Sequence, residues 1–485
     1  MRDSASGPAA ISPDFWSRPD VTHALKGRDI GELFRLLKKW AGLSQTRIGE
    51  ATGLSQGRVS YIINGKYKVT TINSLARIAD GLSMPGLARA ALGLAPGPAD
   101  QAATPPARAT PDAPQHPVTG AQYPSTTEQA VTASTSLWHA DQARSQDVLS
   151  APLDPAAWNA AALAWLLSQP DNALPGTTSQ GRAVGHTDVM RVRASSALFA
   201  ELDNRFGGAH ARRSLIHFLD RDAAALLAGR YTDDVGRELF AAVSEASLLA
   251  AWTSYDCGLH GLAQRYFVQA LRLAQSAADR RLACSVMSAM SHQATYLGHF
   301  PEAVNLARAA HEGLRDQATP ALTAQFLTME ARALARTGDT QGCHAALAAA
   351  ERAFDAPEPG RDPEFISYFN EAELAAEVAH CFRDLGDARQ AARHAALAAP
   401  SDGQYARSDF FAAMVLADSL ADQDDPDQAC HTALAALHTG EALTSARCVA
   451  YVREFRQRLD RFGSNPAIRD FTEQAADHTL WIKAA

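Results

Sequence analysis

Residues 44–63 read SQTRIGEATGLSQGRVSYII, and this stretch decides the fold of the amino-terminal region. Ser44 and Ser55 are of a type that favours the position before a helix, where the side-chain oxygen accepts a bond from a free backbone N–H. Gly53 lies between them, where a tight turn needs a positive φ that glycine reaches at little cost. Gly49 carries no side chain and so allows two crossing helices to touch. The stretch therefore predicts two short helices joined by a tight turn.

The flanking sequence supplies the other helices of a small bundle. Apolar residues recur at the 3.6-residue period of an amphipathic helix on both sides of the stretch. Asn64-Gly65 predicts a left-handed stop after the second helix, and Thr70 or Thr71 is expected to open the next one. Residues 28–94 are thus predicted to form about five helices. The apolar positions expected to form their core are Ile30, Leu33, Phe34, Leu37, Leu54, Val59, Ile62, Ile72, Leu75, Ile78 and Ala79.

This order of elements resembles the phage-repressor-like (Cro/C1, XRE-type) helix-turn-helix domains. The resemblance is carried by Leu43-Ser44-Gln45, Thr52-Gly53-Leu54-Ser55 and Val59-Ser60-Tyr61-Ile62. Gly49 departs from the pattern, since such domains usually carry Ala at this position. The resemblance implies that the second helix reads the major groove of double-stranded DNA.

The charge distribution separates a DNA-binding module from an ordinary helical bundle. Between Lys26 and Asp80 there are ten Lys and Arg residues and four Asp and Glu residues, which gives this segment a net charge of +6. The whole chain carries −8, so the remainder carries −14. A protein that contacts DNA phosphates through only one of its parts needs a basic module on an otherwise acidic chain.

Docking of the second helix in the major groove predicts which side chains reach DNA. Base edges are the expected targets of Gln56, Gly57, Arg58, Ser60 and Tyr61, because Gln pairs with adenine and Arg with guanine. Ser60 and Tyr61 have an alternative role in packing and capping, which for Tyr61 is equally favoured. Phosphate is the expected target of Gln45 at the start of the first helix. The remaining backbone contacts are assigned to Asn64, Lys66, Tyr67 and Lys68.

Two segments outside this module lack the apolar residues of a folded core. Residues 1–27 are polar and irregular and are predicted to be a disordered arm that is not a signal peptide. Residues 95–135 contain eight prolines among Ala, Thr, Gln and Ser. A segment of this composition buries too little apolar surface to offset the entropy lost on ordering. We therefore expect a flexible linker rather than a ligand of SH3-type domains.

The rest of the chain repeats one pattern, Gly-x4-small-x3-apolar-x2-Ala, at intervals of 40, 40, 48 and 38 residues. The Gly is expected to end one helix, and the small residues to let the next helix pack back on it. A fifth copy has Asp in place of Gly. The copies are Gly258/Ala263/Phe267/Ala270, Gly298/Ala303/Ala307/Ala310, Gly338/Cys343/Leu347/Ala350, Gly386/Ala391/Ala395/Ala398 and Asp424/Ala429/Ala433/Ala436.

These repeats resemble tetratricopeptide repeats with longer helices. We therefore expect an all-α protein, with a helical region at 136–245, TPR-like repeats at 246–440 and capping helices at 441–485. The layout of a repressor-like module, a Pro/Ala-rich linker and a helical body resembles a group of regulators of development and secondary metabolism in high-GC bacteria. It also resembles peptide-pheromone sensors, whose concave repeat surface binds a short peptide.

Catalytic and cofactor motifs are lacking in the sequence. There is no phosphate loop, no His-Glu-x-x-His and no Gly-x-Ser-x-Gly. The six cysteines form no Cys-x2-Cys pair, which argues against zinc. His260, His292 and several aromatic residues could line a groove or fill the core. No stretch approaches the length of a membrane helix. We therefore expect a cytoplasmic protein that is not an enzyme and carries no cofactor or metal.

The sequence as a whole predicts a sequence-specific DNA-binding transcriptional regulator. We expect a homodimer, because one small module contacts too few base pairs for useful specificity. The helical body is expected to dimerise, to sense a small molecule or peptide, or to do both. The alternative is an interaction scaffold whose repeats recruit a protein partner and whose helix-turn-helix only anchors it to DNA.

Overall fold

The computed structural model describes most of the chain. The described residues are 11–16, 18–69, 72–85, 88–89, 92, 120–169, 171, 174–177, 181–314, 317–356, 362–398, 404–463 and 465–485. The chain divides into two compact units, an N-terminal unit over Met1–Gln115 and a body over His116–Ala485. Among the described residues there is no β-strand, only one isolated bridge between Ala183 and Arg230. The predicted all-α fold is confirmed.

The N-terminal unit is a bundle of short helices around one apolar core. Leu33, Phe34 and Leu37 are fully buried, and Leu75, Ile78 and Ala79 pack into the same core. The side chain of Ile72 and the proposed helix start at Thr70 or Thr71 lie outside the described residues. The helices are α1 (Pro13–Trp16), α2 (Pro19–Lys26), α3 (Ile30–Trp40), α4 (Gln45–Thr52), α5 (Gln56–Ile63) and α6 (Ile72–Gly81).

The prediction of a disordered arm over residues 1–27 is wrong for the described part of that segment. Phe15 and Trp16 are buried against the bundle, as are Val21, Ala24 and Leu25 of α2. The polar composition suggested that this segment could not offset the entropy lost on ordering. The burial of these apolar side chains provides the free energy that does so. Residues 1–10 lie outside the described residues.

The body begins with helices that precede the repeats. They are α7 (Thr127–Gln142), α8 (Gln146–Leu149), α9 (Pro155–Leu167), α10 (His186–Phe206), α11 (Gly208–Phe218), which continues through a π-turn at Leu219–Ala223, and α12 (Ala224–Leu227). The linker predicted at 95–135 therefore extends too far. Gly120 and Gln122 accept hydrogen bonds from Gln269 Nε2 through their carbonyl oxygens, and α7 begins at Thr127.

Paired helices form the rest of the body. From α13 to α22, each odd-numbered helix packs against the even-numbered helix that follows it. Successive odd-numbered helices from α13 to α25 also pack together, and α24 packs against α22. The helices are α13 (Asp233–Asp256), α14 (His260–Ser276), α15 (Arg280–Tyr296), α16 (Phe300–Leu314), α17 (Pro320–Thr337), α18 (Thr340–Phe354), α19 (Glu371–Leu385), α20 (Ala388–Leu397), α21 (Ala406–Asp422), α22 (Pro426–Thr439), α23 (Ala446–Leu459), α24 (Pro466–Ala475) and α25 (Thr479–Ala484).

The sequence repeat coincides with the turns inside these hairpins. Gly258, Gly298, Gly338 and Gly386 have φ of 78°, 84°, 77° and 81°, and Asp424 has φ of 61°. The small residue five positions later is fully buried in every copy: Ala263, Ala303, Cys343, Ala391 and Ala429 each expose 0%. Each turn thus ends a helix in the left-handed region and lets the next helix pack back closely. The predicted stack of helical hairpins is confirmed.

The first and last hairpins of the body meet, which the repeat pattern did not predict. Helix α10 packs against both α13 and α21. Arg407 of α21 donates two hydrogen bonds of 2.8 Å to the carboxylate of Asp203 in α10. Ser445, which caps α23, donates through Oγ to Asp256 at the end of α13 over 2.8 Å. Polar contacts therefore join α10 and α13 to α21 and to the start of α23.

The length and polarity of the helices bear on whether the chain could span a membrane. In the part of the chain that the structure describes, no helix is both long and apolar enough to cross a membrane.

Candidate nucleic-acid interface

The turn between α4 and α5 is built by the residues that the sequence singled out. Ser44 Oγ accepts a hydrogen bond of 3.2 Å from Arg47 N, and Ser55 Oγ accepts one of 3.3 Å from Arg58 N. Gly53 ends α4 with φ of 67°. Each helix thus begins with one capped backbone N–H group, and the left-handed glycine fixes the direction of α5 relative to α4.

The role of Gly49 is confirmed in part. A Cβ atom placed there would lie 2.5 Å from the carbonyl oxygen of Leu54. The close approach is therefore to the backbone of the turn, one residue beyond Gly53, rather than to a crossing helix. Gly49 must be small so that the turn can fold back against α4.

The base-reading candidates lie on the outer side of α5. Val59 and Ile62 are buried and hold the helix in the bundle, whereas Gln56, Gly57 and Arg58 are exposed at its first turn. Nothing lies within 4 Å of a Cβ atom built at Gly57, so the start of α5 presents an open surface. The first turn of α5 is thus free to approach another molecule.

Tyr61 and Ser60 differ in their surroundings. Tyr61 exposes 58% of its surface, more than a ring that packs into the core would expose. Ser60 is half-buried, and its Oγ accepts a hydrogen bond of 3.4 Å from Asn64 Nδ2. Tyr61 therefore lies on the open surface, while Ser60 and Asn64 are bonded to each other.

The structure assigns Tyr67 a role that the sequence interpretation missed. Its hydroxyl accepts a hydrogen bond of 3.2 Å from Arg58 Nη2, and the Arg58 guanidinium lies 4.9 Å from the centre of its ring. Tyr67 was expected to contact the DNA backbone, yet here it orients the main base-reading candidate. Ser55, Gly57 and Tyr61 complete a shallow hollow around this pair. Only the fold of the loop after α5 brings position 67 back to position 58.

The remaining predicted contacts lie at the start of α4 and in the loop after α5. Gln45 is half-buried as the first residue of α4, where helix N–H groups are available to a phosphate. Lys66 and Lys68 are exposed in the loop after α5. The predicted residues therefore lie along α4, α5 and the following loop of one small unit, with the cations on the outside.

A comparison with known families identifies this region. Residues 29–92 match the family model described as a helix-turn-helix domain. This part of the chain is a helix-turn-helix domain. The match ends before the body and does not extend into the helical hairpins. Searches of curated proteins and of solved structures found no significant match.

Proposed function

We propose that this protein is a sequence-specific DNA-binding transcriptional regulator of the XRE type. The observation that supports the proposal best is the open first turn of α5, where Gln56 and Arg58 are exposed at the start of a helix that Ser55 caps. Tyr67 holds the Arg58 guanidinium through a hydrogen bond, and Lys66 and Lys68 are exposed in the loop after α5. A guanidinium held in this way pays less entropy when it forms a bidentate pair with guanine.

The body completes the proposal. We assign its helical hairpins, as TPR-like repeats, to dimerisation and to the sensing of a small molecule or peptide. Two helix-turn-helix domains in a homodimer would read half-sites about one helical turn apart. The proposal assigns no catalytic activity to the chain and places its action in the compartment that holds the DNA.

The test begins with selection of bound duplexes from a random DNA library by the full-length protein. Binding of the selected duplex is then measured by fluorescence anisotropy at several salt concentrations. We expect a palindromic motif, a stoichiometry of two chains per duplex and a steep loss of affinity with salt, because Lys and Arg contacts release counterions. Failure to enrich any motif would argue against sequence-specific reading.

Substitution of Arg58 tests the docking of α5. Arg58→Ala should cost on the order of 1–3 kcal/mol of binding free energy and relax the preference at one base position. Lys68→Ala should weaken binding to all duplexes alike and reduce the salt dependence. Arg213→Ala removes an exposed arginine of the body and serves as the control. Unchanged affinity and preference in Arg58→Ala would show that α5 does not read the bases.

A further inference from the structure

Helix α9 is apolar around its whole circumference, yet one of its faces is open. It contains no charged residue, and Asn159 is its only residue with an amide or hydroxyl side chain. A helix of this composition is normally buried on all sides. Leu163 nevertheless exposes 57% of its surface and Leu167 exposes 73%, and Ala156 and Ala160 are exposed beside them. This face therefore lacks the cover that the composition of the helix calls for.

The opposite face of α9 is fixed in the body. Trp158 and Trp165 are buried there, and the helix packs against α14 and α16. The Trp158 ring centre lies 5.6 Å from that of His299. A Cβ atom built at Gly313 of α16 would lie 2.8 Å from the Trp165 ring, so the two helices are in close contact. The two tryptophans thus hold α9 with its leucines turned outward.

The exposed residues follow the spacing of a helix-packing seam. Ala156, Ala160, Leu163 and Leu167 are separated by four, three and four positions, the spacing of the apolar seam in coiled coils. At 1.5 Å per residue they form a line about 16 Å long, which we call the α9 stripe. Along the stripe, two small residues are followed by two large ones.

A second copy of the chain fits this order of small and large residues. When two α9 stripes pack antiparallel about a two-fold axis that passes between positions 161 and 162, Leu163 lies opposite the second copy's Ala160. Leu167 then lies opposite the second copy's Ala156. Every leucine meets an alanine, and the symmetry repeats each contact, as in isologous dimers. A parallel arrangement would instead set leucine against leucine and alanine against alanine.

The distribution of charge also favours α9 over the other exposed apolar face of the body. Depletion of charged residues is typical of the centre of protein–protein interfaces, and the α9 stripe has none. Helix α10 exposes Met190 and Leu198, by 69% and 55%. Glu201 is exposed three turns after Met190, on the same face. Antiparallel packing of two α10 helices would therefore bury carboxylates, which is unfavourable.

We propose that α9 is a homodimer interface, in which the α9 stripes of two copies pack antiparallel, with Leu163 against Ala160 and Leu167 against Ala156. The inference rests on the homodimer of the proposed function and locates it in a helix that precedes the repeats. The contact itself requires no DNA.

Sedimentation velocity of the full-length protein over a range of concentrations tests the interface. We expect a dimer for the wild type. Leu163→Gln/Leu167→Gln should raise the dissociation constant about a hundredfold or more, because four leucine side chains leave the interface. Both leucines are exposed in the single chain, so the variant should keep the circular dichroism of the wild type. The matched control, Met190→Gln/Leu198→Gln on α10, should leave the dimer unchanged.

Two results would overturn the proposal. One is a wild type that stays monomeric at every concentration, which would mean that another part of the chain, or a different partner, covers the α9 stripe. The other is a dimer that the substitutions on α9 weaken no more than those on α10.

A swap of small and large residues tests the antiparallel register. Ala160→Leu should weaken the dimer about tenfold or more, because the new leucine meets the second copy's Leu163. Addition of Leu163→Ala restores a contact of large with small and should recover most of the affinity. A face that associates only through its apolar character would bind more tightly with the extra leucine. Tighter association of Ala160→Leu, or no recovery in the double variant, would overturn the arrangement.

DNA binding is measured in the same preparations. Dimerisation through α9 without selection of any DNA motif would contradict the proposed regulator and leave the interface standing. Selection of a motif by a protein whose oligomeric state does not depend on α9 would contradict the interface and leave the regulator standing.

Discussion

Gly49 and Gly57 lie in neighbouring helices of the helix-turn-helix, but their surroundings are opposite. A Cβ atom at Gly49 would approach the Leu54 carbonyl oxygen to 2.5 Å, whereas one at Gly57 would meet nothing within 4 Å. A backbone oxygen cannot rotate away as a flexible side chain would. Replacing glycine by alanine in a helix gains about 1 kcal/mol in helix propensity. This gain is available at Gly57, whereas at Gly49 the clash with the Leu54 carbonyl oxygen opposes it.

Gly49→Ala should consequently loosen α4 and α5. Overpacking of a tight site costs about 1–3 kcal/mol, which exceeds the gain in propensity. Hydrogen exchange of the full-length protein should show faster exchange of the amides of both helices. Gly57→Ala should slow their exchange slightly and so serves as the matched control. Equal exchange in the two variants would show that the turn relaxes around a methyl group.

A second residue-scale prediction concerns Glu373 of α19. Burial, and then the charge of Glu377, raise the pKa of the Glu373 carboxyl to about 8, against the lowering influence of Arg332, Arg447 and Arg407. The folded protein thus keeps a proton that the unfolded chain loses near its ordinary pKa of about 4.5. Its contribution to stability is complete below about pH 4.5 and is lost as the pH rises to about 8.

Glu373→Gln should remove this part of the pH dependence. Relative to the wild type, the variant should gain stability progressively between about pH 5 and pH 8, a range set by the pKa values of the unfolded and folded states. The reason is that its neutral amide does not ionise, so its stability does not fall over this range. Urea denaturation at a series of pH values measures the difference. A difference between variant and wild type that does not change with pH would show that Glu373 ionises normally.

At the scale of elements, the hairpin turns differ in how much strain they carry. Gly386 has φ of 81° between α19 and α20, and Asp424 has φ of 61° between α21 and α22. Glycine reaches this region freely, whereas a residue with a Cβ atom pays about 1–2 kcal/mol. Asp424 also forms an exposed ion pair of 3.4 Å with Arg461, and such pairs contribute little.

Gly386→Ala should therefore lower the free energy of unfolding by about 1 kcal/mol, and Asp424→Gly should leave it unchanged or raise it by up to about 1 kcal/mol. The two variants control for each other, since one adds a Cβ atom at a left-handed turn and the other removes one at an equivalent turn. Urea midpoints of the full-length protein provide the comparison. A loss of stability in Asp424→Gly would mean that its side chain, and not only its backbone, holds the turn.

At the scale of the whole body, closure depends on the pair formed by Arg407 and Asp203. The two residues are far apart in sequence, and both side chains are largely buried, with 13% and 3% exposed. Asp256 also lies 3.5 Å from Arg407. Removing the guanidinium would leave two buried carboxylates without their cation, a change that typically costs several kcal/mol.

Arg407→Met should lower the free energy of unfolding by about 3–5 kcal/mol. Addition of Asp203→Asn should recover part of this loss, because the second substitution removes one of the unpaired charges. Arg237→Met, which breaks a solvent-exposed pair with Asp233, is the control and should cost less than about 1 kcal/mol. Additive effects of the two substitutions at 407 and 203 would show that the pair does not hold the ends together.

The sequence by itself determined the features that depend on neighbours in the chain. Caps at Ser44 and Ser55, the left-handed turn at Gly53 and the five hairpin turns up to Asp424 are local, since each follows from the conformational preference of one residue and the period of the helices around it. The all-α class and the separation of the helix-turn-helix from the body follow from these features. Composition misled where contacts with distant residues decided the outcome. Phe15 and Trp16 of α1 pack into the core of the bundle, and the carbonyl oxygen of Gly120 accepts a hydrogen bond from Gln269.

Only the tertiary structure decided which distant residues meet. Tyr67 lies against Arg58 because the loop after α5 folds back, and no periodicity in the sequence encodes that return. Arg447 meets Tyr255 and Phe411 because the stack of hairpins curves until its two ends touch. Curvature is the sum of small packing angles between successive helices. Such a sum depends on side-chain volumes at every interface, so the sequence pattern gives the hairpins but not the place where the first meets the last.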